Sequence, residues 1–176
     1  MTDSSLFAFS FNASADDAKK IDVTDETFKC LTQMTPVRGF FVANLLGKLE
    51  DTLKVANSPS GGRDPPGTVI QLVPTEVMVK HRDGFSPATN DWEFFELEVA
   101  PGSSKIKVRG VTEVVNRFGG NCFGCHAAAK PQWDLICEKD HGCAPLPIPT
   151  ERIVAIQKAD PRCKTQASTA NAAGRD

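Results

Sequence analysis

Trp92-Glu93-Phe94-Phe95-Glu96-Leu97-Glu98-Val99, followed after Pro101-Gly102-Ser103-Ser104 by Lys105-Ile106-Lys107-Val108-Arg109, decides the fold class. Phe95, Leu97 and Val99 fall on one side of an extended chain, with Glu96 and Glu98 on the other. In the second run Ile106 and Val108 read inward, with Lys105, Lys107 and Arg109 outward. Such alternation is the period of a strand half-buried on a sheet. A Pro-Gly connection of a few residues can only join antiparallel neighbours.

Upstream the same pattern continues. Thr68–Val73 and Thr75–His81 are rich in β-branched residues, and Pro74 between them implies a bulge, an edge or a turn. Residues 81–91, HRDGFSPATND, read as a turn region, and residues 57–67, NSPSGGRDPPG, as a loop dense in helix and strand breakers. From Gly39 to Ala56 the period changes: Phe41, Val42, Leu45, Leu46, Leu49 and Leu53 share a stripe that predicts a helix packed on the sheet. A shorter helix is expected behind Asp22–Thr24, with Phe28 and Leu31 on one face, ended or interrupted by Pro36. Val111–Phe118 extends the last strand or begins another. The class expected is mainly β (α+β): an antiparallel sheet with one or two N-terminal helices. A single domain is expected over residues 21–163, after an irregular segment 1–20 and before a flexible tail 164–176.

A chain of 176 residues can bury one real core. The net charge is −2, and Lys and Arg are scattered, so no electrostatic footprint for nucleic acid is present. No apolar run approaches the ~20 residues of a membrane span. Residues 1–12 lack the basic start and long apolar run of a signal peptide.

The six cysteines are Cys30, Cys122, Cys125, Cys137, Cys143 and Cys163. Asn121-Cys122-Phe123-Gly124-Cys125-His126 contains Cys-x-x-Cys-His, the signature of covalent c-type haem attachment. Two thiols three positions apart can reach the two vinyl-derived carbons of one porphyrin edge. The adjacent imidazole is then the iron ligand. One haem c is expected, held by Cys122 and Cys125 with His126 on its iron. A structural zinc would need a second ligand pair, and Cys137, His141 and Cys143 have unusual spacing for one. A thioredoxin-like dithiol would need a βαβ setting, which the antiparallel pattern denies. With Cys122 and Cys125 committed, four cysteines remain for two disulfides. The spacing favours Cys137–Cys143 and Cys30–Cys163 among the three pairings open to them. Disulfides and c-type haem both indicate export to a periplasmic or secreted setting.

The motif stands late in the chain, and Met1, Met34 and Met78 all precede it. This arrangement resembles the cytochrome P460 and cytochrome c′-β family. The resemblance is carried by Gly67-Thr68-Val69-Ile70, Val77-Met78-Val79-Lys80, Asp91-Trp92-Glu93-Phe94 and Cys122-Phe123-Gly124-Cys125-His126, across about residues 40–130. It implies a mostly antiparallel β domain with one haem, a proximal histidine and a distal side often without a protein ligand. It also implies a homodimer paired through the sheet. P460 members oxidise hydroxylamine with a haem cross-linked to a lysine. The c′-β members lack that bond and bind NO or CO beneath aromatic caps. In the family the lysine follows the Gly-Thr-Val segment; here those positions are Gln71 and Leu72, and the nearest lysine is Lys80 on the next strand. That departure points to gas binding ahead of hydroxylamine oxidation. A third reading is a six-coordinate electron-transfer cytochrome serving a redox partner protein, with His81 or His141 as the sixth ligand.

Around the motif, Trp133 is a candidate to pack on the porphyrin. Arg117, with Lys130 and Arg63, is a candidate partner for the propionates. Phe40, Phe41, Phe85, Phe94, Phe95 and Phe118 supply aromatic bulk for a distal cap or for ordinary core.

Overall fold

Six strands form one antiparallel sheet in a computed structural model, which describes residues 18–164. They are β1 (Thr35–Val37), β2 (Phe40–Asn44), β3 (Thr68–Val73), β4 (Glu76–Lys80), β5 (Trp92–Ala100) and β6 (Ser103–Gly110). Each pairs with its neighbour in sequence, in the order β1-β2-β3-β4-β5-β6. Three α-helices join them: α1 (Leu49–Ala56), α2 (Cys122–His126) and α3 (Thr150–Lys158). The mainly β class read from the alternating runs is the class the chain adopts. The Pro101-Gly102 turn works because Gly102 takes φ 70°, a conformation costly to residues with a Cβ.

The sheet is covered on both sides. Val69, Val77, Val79, Phe95 and Leu97 line one face, under Val23 and Phe28 of the N-terminal segment. Ile70, Met78, Trp92 and Phe94 line the other, under Leu49 and Leu53 of α1 and under Cys122, Phe123 and Leu135. The second face therefore carries the Cys-x-x-Cys-His segment.

Several expected elements differ. The helix expected over Gly39–Ala56 is half strand. Phe40 and Val42 are buried on one face, Phe40 opposite Val37 of β1 and Val42 opposite Ile70 of β3, so period two wins there. Asn44 stops the strand: its Oδ1 accepts from the backbone N–H of Leu46 and Lys48, turning the chain toward α1. The helix expected behind Asp22–Thr24 is two 3-10 turns, Asp25–Thr27 and Leu31–Gln33. Pro36 lies on the short edge strand β1, where its missing N–H removes no ladder bond. Val111–Phe118 is a loop with one isolated bridge, Val115 to Asn121. In β6 the register shifts opposite Glu96 and Leu97. The shift leaves Val108 39% exposed and turns Arg109, expected outward, over the Phe95 ring. Residues 1–17 and 165–176 lie outside the described residues, and with them most of the irregular segment and the tail expected from the sequence.

Cys30 bonds Cys163, and Cys137 bonds Cys143, the pairing favoured from the spacing. The first bridge joins positions 133 apart and ties the N-terminal cover to the end of the domain. Next to it the Leu31 N–H donates to Asp160, which is forked by Arg162 in a buried pair. Among the described residues no helix is long and apolar enough to cross a membrane.

Candidate functional site

After β6 the chain crosses the second sheet face and is held there by its own polar side chains. The Cys122 N–H donates to the Val114 carbonyl, and Val114 is buried. Asn116 accepts from the N–H of Phe118 and of Gly120, closing the turn before the motif. Asn121 caps α2: its Oδ1 accepts from the Gly124 N–H at 2.7 Å and its Nδ2 donates to the Thr112 carbonyl. Cys122 and Cys125 thus sit one helical turn apart, with His126 next in line. Cys122 is half-buried against the sheet core and Cys125 is exposed.

These two are the free thiols among the described cysteines. Burial, then Glu76 and Glu96, push the Cys122 thiol up to about 11. It is therefore a protonated thiol at neutral pH, the opposite of the lowered thiol of a redox-active pair. A zinc site built with Cys137 and Cys143 is closed, since both are in a disulfide. The cluster of Cys30, Asp160 and Cys163 has ligand spacing, but its sulfurs are bonded to one another and Asp160 holds Arg162.

His126 packs on Phe94, ring centroids 5.3 Å apart. Its Nδ1–H donates to the Leu135 carbonyl at 2.7 Å, since a carbonyl can only accept. That bond fixes the tautomer and leaves the Nε2 lone pair for a metal. Burial pulls the His126 pKa down, so the ring is neutral, as a ligand must be.

The other residues named from the sequence divide. Arg117 lies beside the motif but is engaged: Nε donates to Glu96 at 2.5 Å and Nη2 to the Leu97 carbonyl. Trp133 stacks on His141, centroids 3.8 Å apart and planes 3° apart. The His141 Nδ1–H donates to the Ile136 carbonyl. Lys130 donates to the Asp140 carbonyl, and Arg63 pairs with Asp91. His81 is fully buried and spent on both nitrogens: Nδ1 accepts from the Ile21 N–H and Nε2 donates to Glu93. It cannot reach an iron without losing both bonds. Phe94 lies on the motif's face of the sheet, Phe95 on the opposite one, and Phe118 is 73% exposed.

Two groups escaped the sequence reading. Glu76 and Glu96 are cross-strand partners beneath Cys122, with Glu96 2% exposed and its Oε2 without a hydrogen-bond partner among the described residues. Burial, then Glu96, push the Glu76 carboxyl up. The second is a buried cluster of Lys80, Asp134 and Asp64. Lys80 Nζ donates to Asp134 at 2.6 Å and lies 4.9 Å from the Trp92 ring centroid. Burial pulls Lys80 down while Asp134 opposes it. A charged residue in a strand or a loop reads as solvent-facing, so the burial of neither group leaves a sequence signal.

Compared with models of protein families, with curated proteins and with solved structures, the chain matches none.

Proposed function

We propose that this chain is a c-type monohaem protein of the cytochrome P460 and c′-β kind, with Cys122 and Cys125 as thioether anchors and His126 as the axial ligand. One observation carries the reading. The two free thiols stand one turn apart beside a neutral imidazole whose Nδ1 is already committed, while the remaining cysteines are oxidised. The residues present fit the group. Val115 and Phe118, in the loop that leads into α2, are 49% and 73% exposed and offer apolar surface for a macrocycle to cover. A bound haem supplies an iron centre able to take a diatomic gas or exchange an electron.

The chain's own contribution is to hold His126 neutral and oriented, to keep the thiols reduced and to pack Phe94 against the imidazole. Binding of NO or CO is favoured over hydroxylamine oxidation. The lysine on the motif's sheet face, Lys80, is enclosed by Asp134 and Trp92 and occupied in an ion pair. A six-coordinate electron carrier is disfavoured because His81 is spent on the far side of the sheet and His141 is stacked flat on Trp133 and bonded to the Ile136 carbonyl. The disulfides support residence in an oxidising compartment, the periplasm or outside the cell.

The test is to mature the full chain with cytochrome c assembly machinery and record intact mass, haemochrome and ferrous spectra. One covalent haem is expected, lost in the Cys122→Ala/Cys125→Ala double variant, with an ordinary haemochrome and a ferrous spectrum that changes on adding NO or CO. Absence of a Soret band overturns haem attachment. A spectrum indifferent to both gases overturns the gas-binding reading, and an abnormal haemochrome restores the cross-linked enzyme.

A further inference from the structure

The carbonyl that holds His126 belongs to a turn the backbone does not choose on its own. Asp134 and Leu135 are consecutive residues at φ 46° and φ 68°. The left-handed region is tolerated by aspartate and disfavoured by a bulky residue such as leucine, so the surroundings must over-determine it. They do so through Asp134. Its Oδ2 accepts from Lys80 Nζ at 2.6 Å and from the Asp64 N–H at 2.9 Å. Its carbonyl accepts from Trp92 Nε1 at 2.8 Å. Lys80 and Trp92 are fully buried, and Asp134 and Asp64 are each 3% exposed. Three elements thus grip one residue: β4, β5 and the loop before β3. The next carbonyl in the chain is the one that receives the His126 Nδ1–H.

We infer that the Lys80–Asp134 pair is a positioning device for His126, acting through the Leu135 carbonyl to set the imidazole's orientation and its strength as a ligand. Asp134 cannot swing away without stranding a buried ammonium, which is far costlier than leaving a surface ion pair. The turn therefore has one conformation, and the Nδ1–H···O bond is held short and constant. A firm bond there gives the ring more anionic character and favours the oxidised metal. A loose bond weakens the ligand and favours the reduced metal. Lys80, the lysine nearest to the family's cross-linking position, serves on this view as a structural cation two links away from the ligand.

The inference rests on the haem reading, and the experiment separates the two. In the matured full chain, Asp134→Asn and the neutral double variant Lys80→Met/Asp134→Asn are compared with Glu93→Gln, a buried change on the opposite sheet face. The readouts are covalent haem by mass, the iron–histidine stretching frequency of the ferrous protein, and the midpoint potential. Haem is expected to remain attached in all. In both Asp134 variants the stretching frequency falls and the potential rises, while Glu93→Gln keeps both at their wild-type values. Loss of such a supporting partner weakens ligation about 10–100-fold. Each tenfold preference for the reduced over the oxidised iron raises a one-electron potential by about 59 mV. Wild-type stretching frequency and potential in the Asp134 variants overturn the inference and leave the haem reading intact. A wild-type chain that takes up no haem overturns both. Should the variants not fold, wild-type protein decides: the His126 Nδ1–H proton is expected to exchange slowly with solvent, and rapid exchange defeats the clamp.

Discussion

Glu76 on β4 and Glu96 on β5 face each other directly across the ladder, and the Cys122 thiol lies close enough to both for their charge to raise its pKa. The two carboxylates share the sheet face on which the motif packs, and Asn116 and Arg117 each donate to one of them. Glu76→Gln removes one negative charge from beside the sulfur. In the haem-free, disulfide-intact protein, alkylation of Cys122 between pH 8 and 10 should then become faster, with Cys125 as the internal comparison. An unchanged pH profile for Cys122 would show that Glu76 has no part in setting its pKa.

Asp64 gives the fold a pH dependence of definite sign. Burial, then the neighbouring Asp134, push its carboxyl up to about 7, while Lys80 pulls the other way. A folded-state pKa above the unfolded one means that the folded chain holds the extra proton. The contribution of Asp64 to stability is thus fully present below the ordinary carboxylate range and is lost as pH rises through about 7. Thermal unfolding of the wild type should show this decline between pH 4 and 8, and Asp64→Asn should flatten it. A variant curve parallel to the wild type assigns the decline elsewhere.

On the opposite face, buried Glu93 is the acceptor of a trio with buried His81 and half-buried Arg109. His81 donates to one oxygen, and Arg109 forks onto both. Glu93→Ala leaves an imidazole N–H and a guanidinium without their partner, and the expected loss in urea unfolding is about 3–5 kcal/mol. Because the trio lies away from the motif, haem content of the folded fraction should not change. A loss below about 1 kcal/mol would mean that water replaces the carboxylate without cost.

The two disulfides should differ in worth. The Cys30–Cys163 bridge closes a span of 133 positions and Cys137–Cys143 one of 6. The chain-entropy relation gives upper values of about 5 and about 2 kcal/mol for loops of these lengths. Cys30→Ser/Cys163→Ser should therefore lower the unfolding midpoint more than Cys137→Ser/Cys143→Ser. The reverse order would indicate that the small loop acts on the folded state, through the stacked Trp133 and His141.

The strands read most clearly from the sequence were those whose neighbours are close in the chain. β3 spans the residues read as Thr68–Val73, and β5 differs from its reading by one residue. There the alternation of side chains and the turn residues agree, so local preference and tertiary pairing ask for the same conformation. Phe40–Asn44 is the counterexample. Its apolar residues fit a helical stripe when extended into Leu45 and Leu49, and pairing with β1 and β3 selects the strand. At the candidate site, Cys122, Cys125 and His126 are close neighbours in the chain, so their grouping is visible in the sequence itself. The burial of Lys80, Asp134, Glu76 and Glu96 is not, because burial of a charge is a property of what folds over it.

The amino-acid sequence by itself determined the antiparallel hairpins, favoured one disulfide pairing among three and placed Cys122, Cys125 and His126 together. Each depends on spacing along the chain or on the parity of a small number of thiols. Tertiary structure alone decided which sheet face receives those three residues, which histidines are already spent, and which carbonyl orients His126. Those outcomes follow from contacts between residues tens of positions apart, such as Lys80 with Asp134 and Trp92 with the Asp134 carbonyl. A hydrogen bond of that kind has no period and no local signature; it exists only once the sheet has closed beneath it.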